Sequence, residues 1–525
     1  MFKKFTVSLP YIWFGLSILL LFSVRLVSFN YNVLNHDELE WLYGIHRTQI
    51  DPRPFVGFEA HTSGPVSVYF LSLINLFVSE PQTIHLRFFC FFFLIVPTMA
   101  LLFWGKRNYL NYAGLAFFTT LLSINFQQFE WYFEDLFCYN TEFQILFFTA
   151  LLYKLLVINL RRITVLAFSL MLVLFLFVKI QVVFFVLFFG LAMLIKLAFN
   201  RSFNLLFLYL GFVVFLFATI LAYLLVTNTL TEAIYIYIEK NIMYQSNISG
   251  EQIDWFLVAK RIISSFFHQF RYNSLALVAS VITLIFVYFK RIYQSDILVQ
   301  FFTSRIFLTA SLFMVSLITI LFSKNNFGHY FIVAFFPMAI FFSELYYCIC
   351  KELSGQRKSL YSIGIFMCFL IGLNYNYLGK SLHLLTAKPL DRAKYQLGYP
   401  KGFQVDNQLT NWLKSHHIQG KNTILYLGWF NAQMVYYELG RSYYPVYRSA
   451  NFFWYKLTYE NKNREFFNHE EANLMEDLRK TPPFYIVDSE ALLSKIKNTE
   501  FTRYVDANYF VAQLAPGFKI YQRKN

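Results

Sequence analysis

Two acidic clusters stand beside long apolar runs. "NHDELEWLYG" (35–44) follows the first run and holds Asp37, Glu38 and Glu40, while "FEWYFEDLF" (129–137) lies between two later runs and holds Glu130, Glu134 and Asp135. A carboxylate at a water boundary can take a proton from a hydroxyl as a general base, or orient that hydroxyl for attack. Basic and hydrogen-bonding residues are interspersed with them. Arg53 and His61 follow the first cluster, Arg87 opens the second run, Lys179 sits in "FVKIQ", and His329 and Tyr330 sit in "SKNNFGHYF". Cations and N–H or O–H donors of this kind hold a phosphate. Carboxylates and phosphate-binding cations together suit transfer of a group from a phosphate-bearing donor to a polar acceptor.

Each group also has an ordinary structural reading. Asp37 can serve as a helix N-cap, with Glu40 at the third helical position completing a capping box. Glu38 and Glu40 can face solvent. Arg87 and Lys179 can snorkel to lipid headgroups, and His329 can sit beside an aromatic belt. Two acidic clusters on the same side of a membrane are harder to assign to structure alone, because ionisable groups at membrane depth mark function.

The elements that must position these residues are legible in the composition. Of 525 residues, 57% are hydrophobic and 21% aromatic, and only 14% are charged. Apolar runs of spanning length are expected at 9–29, 85–104, 110–126, 141–158, 163–180, 181–199, 204–226, 271–289, 303–322, 328–348 and 359–378, about 11 transmembrane helices in all. Their Phe and Leu bias needs only lipid to explain it. Alternate turns are basic: "GKRN" (105–108), "NLRR" (159–162), "KLAFNR" (196–201), "KR" (290–291) and "KELSGQRK" (351–358). Positive turns stay in the cytoplasm, so the N-terminus is expected inside and the C-terminus outside. The net charge of +15 is accounted for largely by these turns, and nucleic acid is not expected as a partner. The apolar run after "MFKKF" lacks a small-residue cleavage site and reads as an uncleaved first span. The five cysteines lie in or beside apolar runs without metal-site spacing, so no disulfide framework is implied.

Three loops and a long tail then face outward. In the first loop (30–84), Leu39, Leu42, Tyr43 and Ile45 give an amphipathic surface helix. "SGPVSVYFLSLINLF" (63–77) starts a second, half-inserted helix after Gly-Pro. The division expected is a transmembrane domain over 1–378 and a small extracytoplasmic α/β domain over 379–525, with a helix at 404–417 and strands at 423–428, 484–488 and 517–523.

Taken in this order and topology, the motifs resemble the GT-C class of integral-membrane glycosyltransferases. They are most similar to the dolichyl- and polyprenyl-phosphate-mannose protein mannosyltransferases and the bacterial lipid A aminoarabinose transferase. The family's acidic motif in the first outer loop corresponds to "HDELEW" (36–41), and its Pro-containing helix start to "HTSGPV" (61–66). Its arginine before the next span corresponds to Arg87, and its second acidic position to Glu134-Asp135. A late His-Tyr before a Pro-containing segment matches "GHYFIVAFFP" (328–337). The outer-domain segments match "ILYLGWFNAQMVYYELGR" (424–441) and "PPFYIVD" (482–488). His61 departs from the lysine found in many relatives.

The resemblance implies an inverting transfer of a sugar from a polyprenyl-phosphate donor to an acceptor hydroxyl on a glycan, lipid or protein. It places the chain in the membrane, by expectation a bacterial inner membrane, with chemistry at the periplasmic face. Asp37 would be the catalytic carboxylate, with Glu38, Glu134 and Asp135 as the other acidic candidates. Arg53, His61, Arg87, Lys179, His329 and Tyr330 would bind the lipid phosphate and sugar. Some members use a divalent metal, but no cofactor is expected here. The competing reading is a transporter or flippase of lipid-linked sugars. That would favour charges in mid-span and symmetry between the halves, whereas the ionisable groups here gather at one face. A polysaccharide polymerase or ligase would put its large loop between late spans.

Overall fold

The computed structural model describes residues 2–30, 36–58, 63–103, 108–123, 139–239, 241, 256–260, 263–264, 271–289, 305–322, 328–353, 355–373, 409, 411–415, 424–427, 464–488, 491–497, 499–515 and 518–524. In chain order the helices are α1 (Phe2–Asn30), α2 (His36–Ile50), α3 (Pro65–Ser72), α4 (Thr83–Phe89), α5 (Val96–Phe103), α6 (Asn108–Leu122), α7 (Thr141–Val157), α8 (Arg162–Leu176), α9 (Val183–Phe199), α10 (Phe203–Val226), α11 (Leu230–Ala233), α12 (Arg271–Phe289), α13 (Arg305–Phe322), α14 (Ile332–Glu352) and α15 (Gly355–Leu373). Later elements are β1 (Ile424–Leu427), α16 (Arg464–Lys480), β2 (Tyr485–Asp488), α17 (Leu492–Lys495), α18 (Glu500–Asn508), β3 (Tyr509–Ala515) and β4 (Phe518–Arg523).

The chain forms two compact units. One comprises Met1–Asn32, His61–Phe129 and Phe133–Ala393, and the other Val33–Ala60, Glu130–Tyr132 and Lys394–Asn525. The segment between α1 and α4 is therefore divided: its early part, with α2, belongs with the C-terminal residues, and its later part, with α3, belongs with the helical unit.

Among the described residues, five helical runs are long and apolar enough to cross a membrane: Thr83–Phe103, Ile180–Phe199, Phe203–Val226, Arg305–Phe322 and Ile332–Lys351. The first is α4 and α5 joined by a π-helical stretch at Cys90–Ile95. Helix α10 shows why lipid is required. Of its 24 apolar-rich residues only Tyr209 and Leu224 are buried, so the rest need a non-aqueous solvent.

Helix α14 lies at the centre of the helical unit, packed against α6, α7, α12 and α13. Ile332 to Phe336, Met338, Ala339 and Phe342 are almost wholly buried. Close approach of α6 depends on Gly114, where an added Cβ would stand 1.9 Å from Ser343 Oγ. The phenylalanine bias does more than meet lipid. Phe117 stacks on Phe342 at 4.5 Å, Phe369 is edge-on to both, and Phe148 stacks on Phe175 at 5.7 Å. With Phe143, Phe168, Phe185 and Phe189 also buried, aromatic rings build the helix–helix core, where paired rings add stability beyond the area they bury.

In the second unit, four strands form a sheet of order β1-β2-β4-β3. β1 and β2 are parallel, and β4 is antiparallel to both β2 and β3. Alternation divides the side chains between the two faces. Leu425, Leu427 and Ile486 pack with Leu474 and Leu478 of α16 and Phe501 and Val505 of α18. Ile424, Tyr426, Tyr485 and Val487 pack with Leu409 and Leu413. Asp488 ends β2 and accepts from the amides of Leu492 (2.7 Å) and Leu493 (3.1 Å), which starts α17.

Candidate functional site

Lys179 occupies an extended residue (φ −163°, ψ 138°) between α8 and the one-turn helix Ile180–Val182. The Gly-Pro motif holds this segment through the backbone. Gly64 N donates to Val178 O (2.7 Å), Val66 N to Phe177 O (3.2 Å) and Ser67 Oγ to Val178 O (2.8 Å). Ser63 forms an antiparallel bridge with Lys179 itself. Gly64 is required for the approach, since a Cβ there would lie 2.0 Å from Phe177 O. Pro65 then opens α3, where its missing N–H costs nothing.

The side chain of Lys179 is buried, and its Nζ donates to Glu142 Oε1 at 2.6 Å. Nζ also stands 5.0 Å from the centroid of the Tyr330 ring, within range of a cation–π contact. Glu142 lies in the first turn of α7, where the helix dipole favours a negative charge. Neighbouring polar groups lock the start of α7. Thr141 and Ser63 hydroxyls pair at 3.0 Å, and Gln144 Nε2 donates to Tyr139 Oη (2.7 Å) and to Ser67 O (3.1 Å). Burial pushes the Tyr139 hydroxyl well above the ordinary phenol range, with the charge of Glu142 adding to the effect, so Tyr139 stays neutral.

Two further cations are buried in this unit among the described residues. Arg87 is inaccessible near the end of α4, and Arg25, 1% exposed on α1, has its guanidinium 5.3 Å from the Phe143 ring centroid. Neither Glu142 nor Arg25 stood out in the sequence. Both sit inside or at the edge of apolar runs, and a charge in such a run is the signal that would have marked them.

Asp37, Glu38 and Arg53 belong to the second unit. Helix α2 begins at His36, two residues earlier than a cap at Asp37 requires, so Asp37 lies inside the first turn. Its side chain is outside the described residues. Glu38, an acidic candidate whose ordinary structural reading is a solvated carboxylate, is fully buried, and Leu42, Tyr43 and Ile45 on the apolar face are buried too. Arg47, also buried, donates through Nε to Gly57 O at 3.0 Å. The loop that follows is a tight turn. Phe55 takes a positive φ of 67°, and a Cβ on Gly57 would meet Asp51 O at 2.2 Å. Arg53 is half exposed and forms a two-point pair with Asp51, Nη2 to Oδ2 at 2.7 Å and Nε to Oδ1 at 3.0 Å. That hydrogen bonding holds the Asp51 carboxyl below its ordinary range against the opposing effect of partial burial.

Of the residues singled out by sequence, Lys179 and Tyr330 are brought together. Arg87 is buried in the same unit, and His329 lies in the one-turn helix Gly328–Phe331 with its side chain outside the described residues. His61, Glu134 and Asp135 lie outside the described residues. Among the described residues, no three His, Cys, Asp or Glu side chains are grouped to hold a metal ion.

No family model and no curated protein sequence matches the chain. Its fold does match solved structures. The crystal structure of ArnT from Cupriavidus metallidurans bound to undecaprenyl phosphate aligns with a TM-score of 0.51 at 12% identity, over 97% of each chain. The crystal structure of the Archaeoglobus fulgidus oligosaccharyltransferase in complex with Zn and sulfate aligns with a TM-score of 0.44 at 12% identity, over 97% of this chain and 73% of that one. The likeness to ArnT, an aminoarabinose transferase of the GT-C class, establishes a GT-C-like fold. With the apolar helices, it makes the chain an integral membrane protein.

Proposed function

We propose that the chain is a membrane glycosyltransferase that moves a sugar from a polyprenyl-phosphate donor to an acceptor hydroxyl at the outer membrane face, inverting the anomeric carbon. The observation that carries this reading is Lys179. It is a buried cation on a segment pinned by the Gly-Pro motif, paired with Glu142 and covered by Tyr330. An ammonium has three N–H donors. One meets Glu142, and a phosphate, with more charge and more acceptor oxygens than a carboxylate, can take the others or displace Glu142. Between turnovers Glu142 holds the lysine in place.

The roles follow from the chemistry. The acceptor oxygen bonds to the anomeric carbon as the bond from that carbon to the phosphate oxygen breaks. The lipid phosphate leaves with the electron pair, and the acceptor proton passes to Asp37. Lys179, with Arg53, His61, Arg87, His329 and Tyr330 as the further candidates, stabilises the charge that develops on the phosphate. Glu38, Glu134 and Asp135 are the remaining acidic candidates. About 11 spans, with the N-terminus inside and the C-terminal residues outside a bacterial inner membrane, put this chemistry at the periplasmic face. The donor's prenyl tail then stays in lipid while its sugar emerges among the headgroups. The reaction as written needs no metal.

The test is product analysis. Membranes containing the protein, supplied with a polyprenyl-phosphate-linked sugar, should release free polyprenyl phosphate as sugar appears on an acceptor. Movement of the intact lipid-linked sugar between leaflets, with no cleavage, would favour the transporter reading instead.

A further inference from the structure

A groove lies far from Lys179. Helix α14 is 21 residues long, so its last turn is about 30 Å from Tyr330 at its start. Around that last turn, α1, α6, α14 and α15 enclose a groove of about 640 Å³, within the size of small-molecule sites.

The turn between α14 and α15 shapes it. Leu353 is extended after the end of α14, and Gly355 takes a left-handed φ of +56°, a conformation that costs glycine little. The chain doubles back at once, so Lys351 on α14 and Lys358 on α15 both line the groove. Both lysines are exposed. Beneath them the walls are apolar, with Trp13, Ala116, Phe366 and Phe369 contributing. Trp13 and Phe366 are 37% and 46% exposed at the rim. The wall is held by polar ties: Tyr346 Oη pairs with Ser362 Oγ at 2.8 Å, the Tyr346 and Tyr361 rings stack at 5.7 Å, and Tyr361 Oη pairs with Ser280 Oγ at 2.7 Å.

We propose that this groove binds an anionic glycerophospholipid. Its phosphodiester sits at Lys351 and Lys358, and one acyl chain lies along the apolar wall. Two cations above a lipid-facing slot complement an anionic headgroup above a hydrocarbon tail, and basic pockets between spanning helices at the cytoplasmic side recognise such headgroups. The basic turn "KELSGQRK" puts the groove at that side by the topology proposed above. The polyprenyl donor is not the occupant, because its phosphate is handled at the opposite end of α14.

The test uses full-length protein in detergent, titrated with dioleoylphosphatidylglycerol or dioleoylphosphatidylcholine and followed by native mass spectrometry. It needs no transferase activity, so it can fail independently of the function proposed above. The wild type should bind one phosphatidylglycerol in preference to phosphatidylcholine. The double variant Lys351→Gln/Lys358→Gln should weaken that binding at least about tenfold and remove the preference. Arg161→Gln/Arg162→Gln, which removes the same charge from another basic turn, should leave it intact. Equal binding of the two lipids by wild type, retention of the preference in the lysine variant, or displacement of phosphatidylglycerol by polyprenyl phosphate over the same concentration range would overturn the assignment.

Discussion

Lys179 and Glu142, 37 residues apart in sequence, form a buried ion pair at 2.6 Å. Removing one partner from such a pair costs about 3–5 kcal/mol because a charge is left buried, whereas replacing both by apolar residues of similar volume is often close to neutral. Lys179→Met and Glu142→Leu are each expected to lower the apparent unfolding temperature in detergent, and the double variant to recover it. The double variant should still transfer sugar poorly, since the phosphate-binding cation is gone. A stable double variant with normal transfer would reduce the pair to a structural tie.

Lys179→Gln keeps hydrogen-bonding ability and removes the charge. If Lys179 holds the donor phosphate, the donor KM should rise more than kcat falls. Steady-state kinetics with a lipid-linked sugar decide this, and an unchanged donor KM would remove Lys179 from the donor site.

Gly64→Ala should damage the same segment without touching a charge. The new Cβ would stand 2.0 Å from Phe177 O, and relieving the clash moves the backbone that carries Lys179. Overpacking of this kind costs about 1–3 kcal/mol. Gly15→Ala is the control, because nothing lies within 4 Å of a Cβ there. Thermal unfolding should separate the two variants, and the donor KM should rise only for Gly64→Ala.

Much of the helical unit was legible because apolar length is a local signal. The expected runs at 141–158, 204–226 and 271–289 correspond to Thr141–Val157, Phe203–Val226 and Arg271–Phe289, and the Gly-Pro helix start fell where it was expected. What was not legible depends on distant contacts. Glu142 falls at the start of the expected span 141–158, and only its pairing with Lys179 gives it a role. Glu38 sits in a polar run whose local pattern is equally compatible with a solvated carboxylate, and its burial depends on distant contacts. Nothing local to Val33–Ala60 marks it as belonging with residues more than 330 positions later, Lys394–Asn525.

The topology is open to a direct check. A periplasm-active reporter fused after Asn525 should be active, and a cytoplasm-active one silent, if the basic turns set orientation. The reverse pattern would put the C-terminal residues inside and overturn the outer-face reaction.

The central claim is that a carboxylate in the first turn of α2 takes the acceptor proton. Asp37→Asn keeps size and removes basicity, while Glu40→Gln serves as a neutral neighbour and Asp135→Asn as a second, milder impairment. The decisive measurement is the transfer rate of Asp37→Asn in membranes supplied with a polyprenyl-phosphate-linked sugar, with insertion and expression matched to wild type. A fall of at least ~100-fold is the expected result for loss of general-base help. Full activity would contradict the account and move the role to Glu38 or to the Glu134-Asp135 pair.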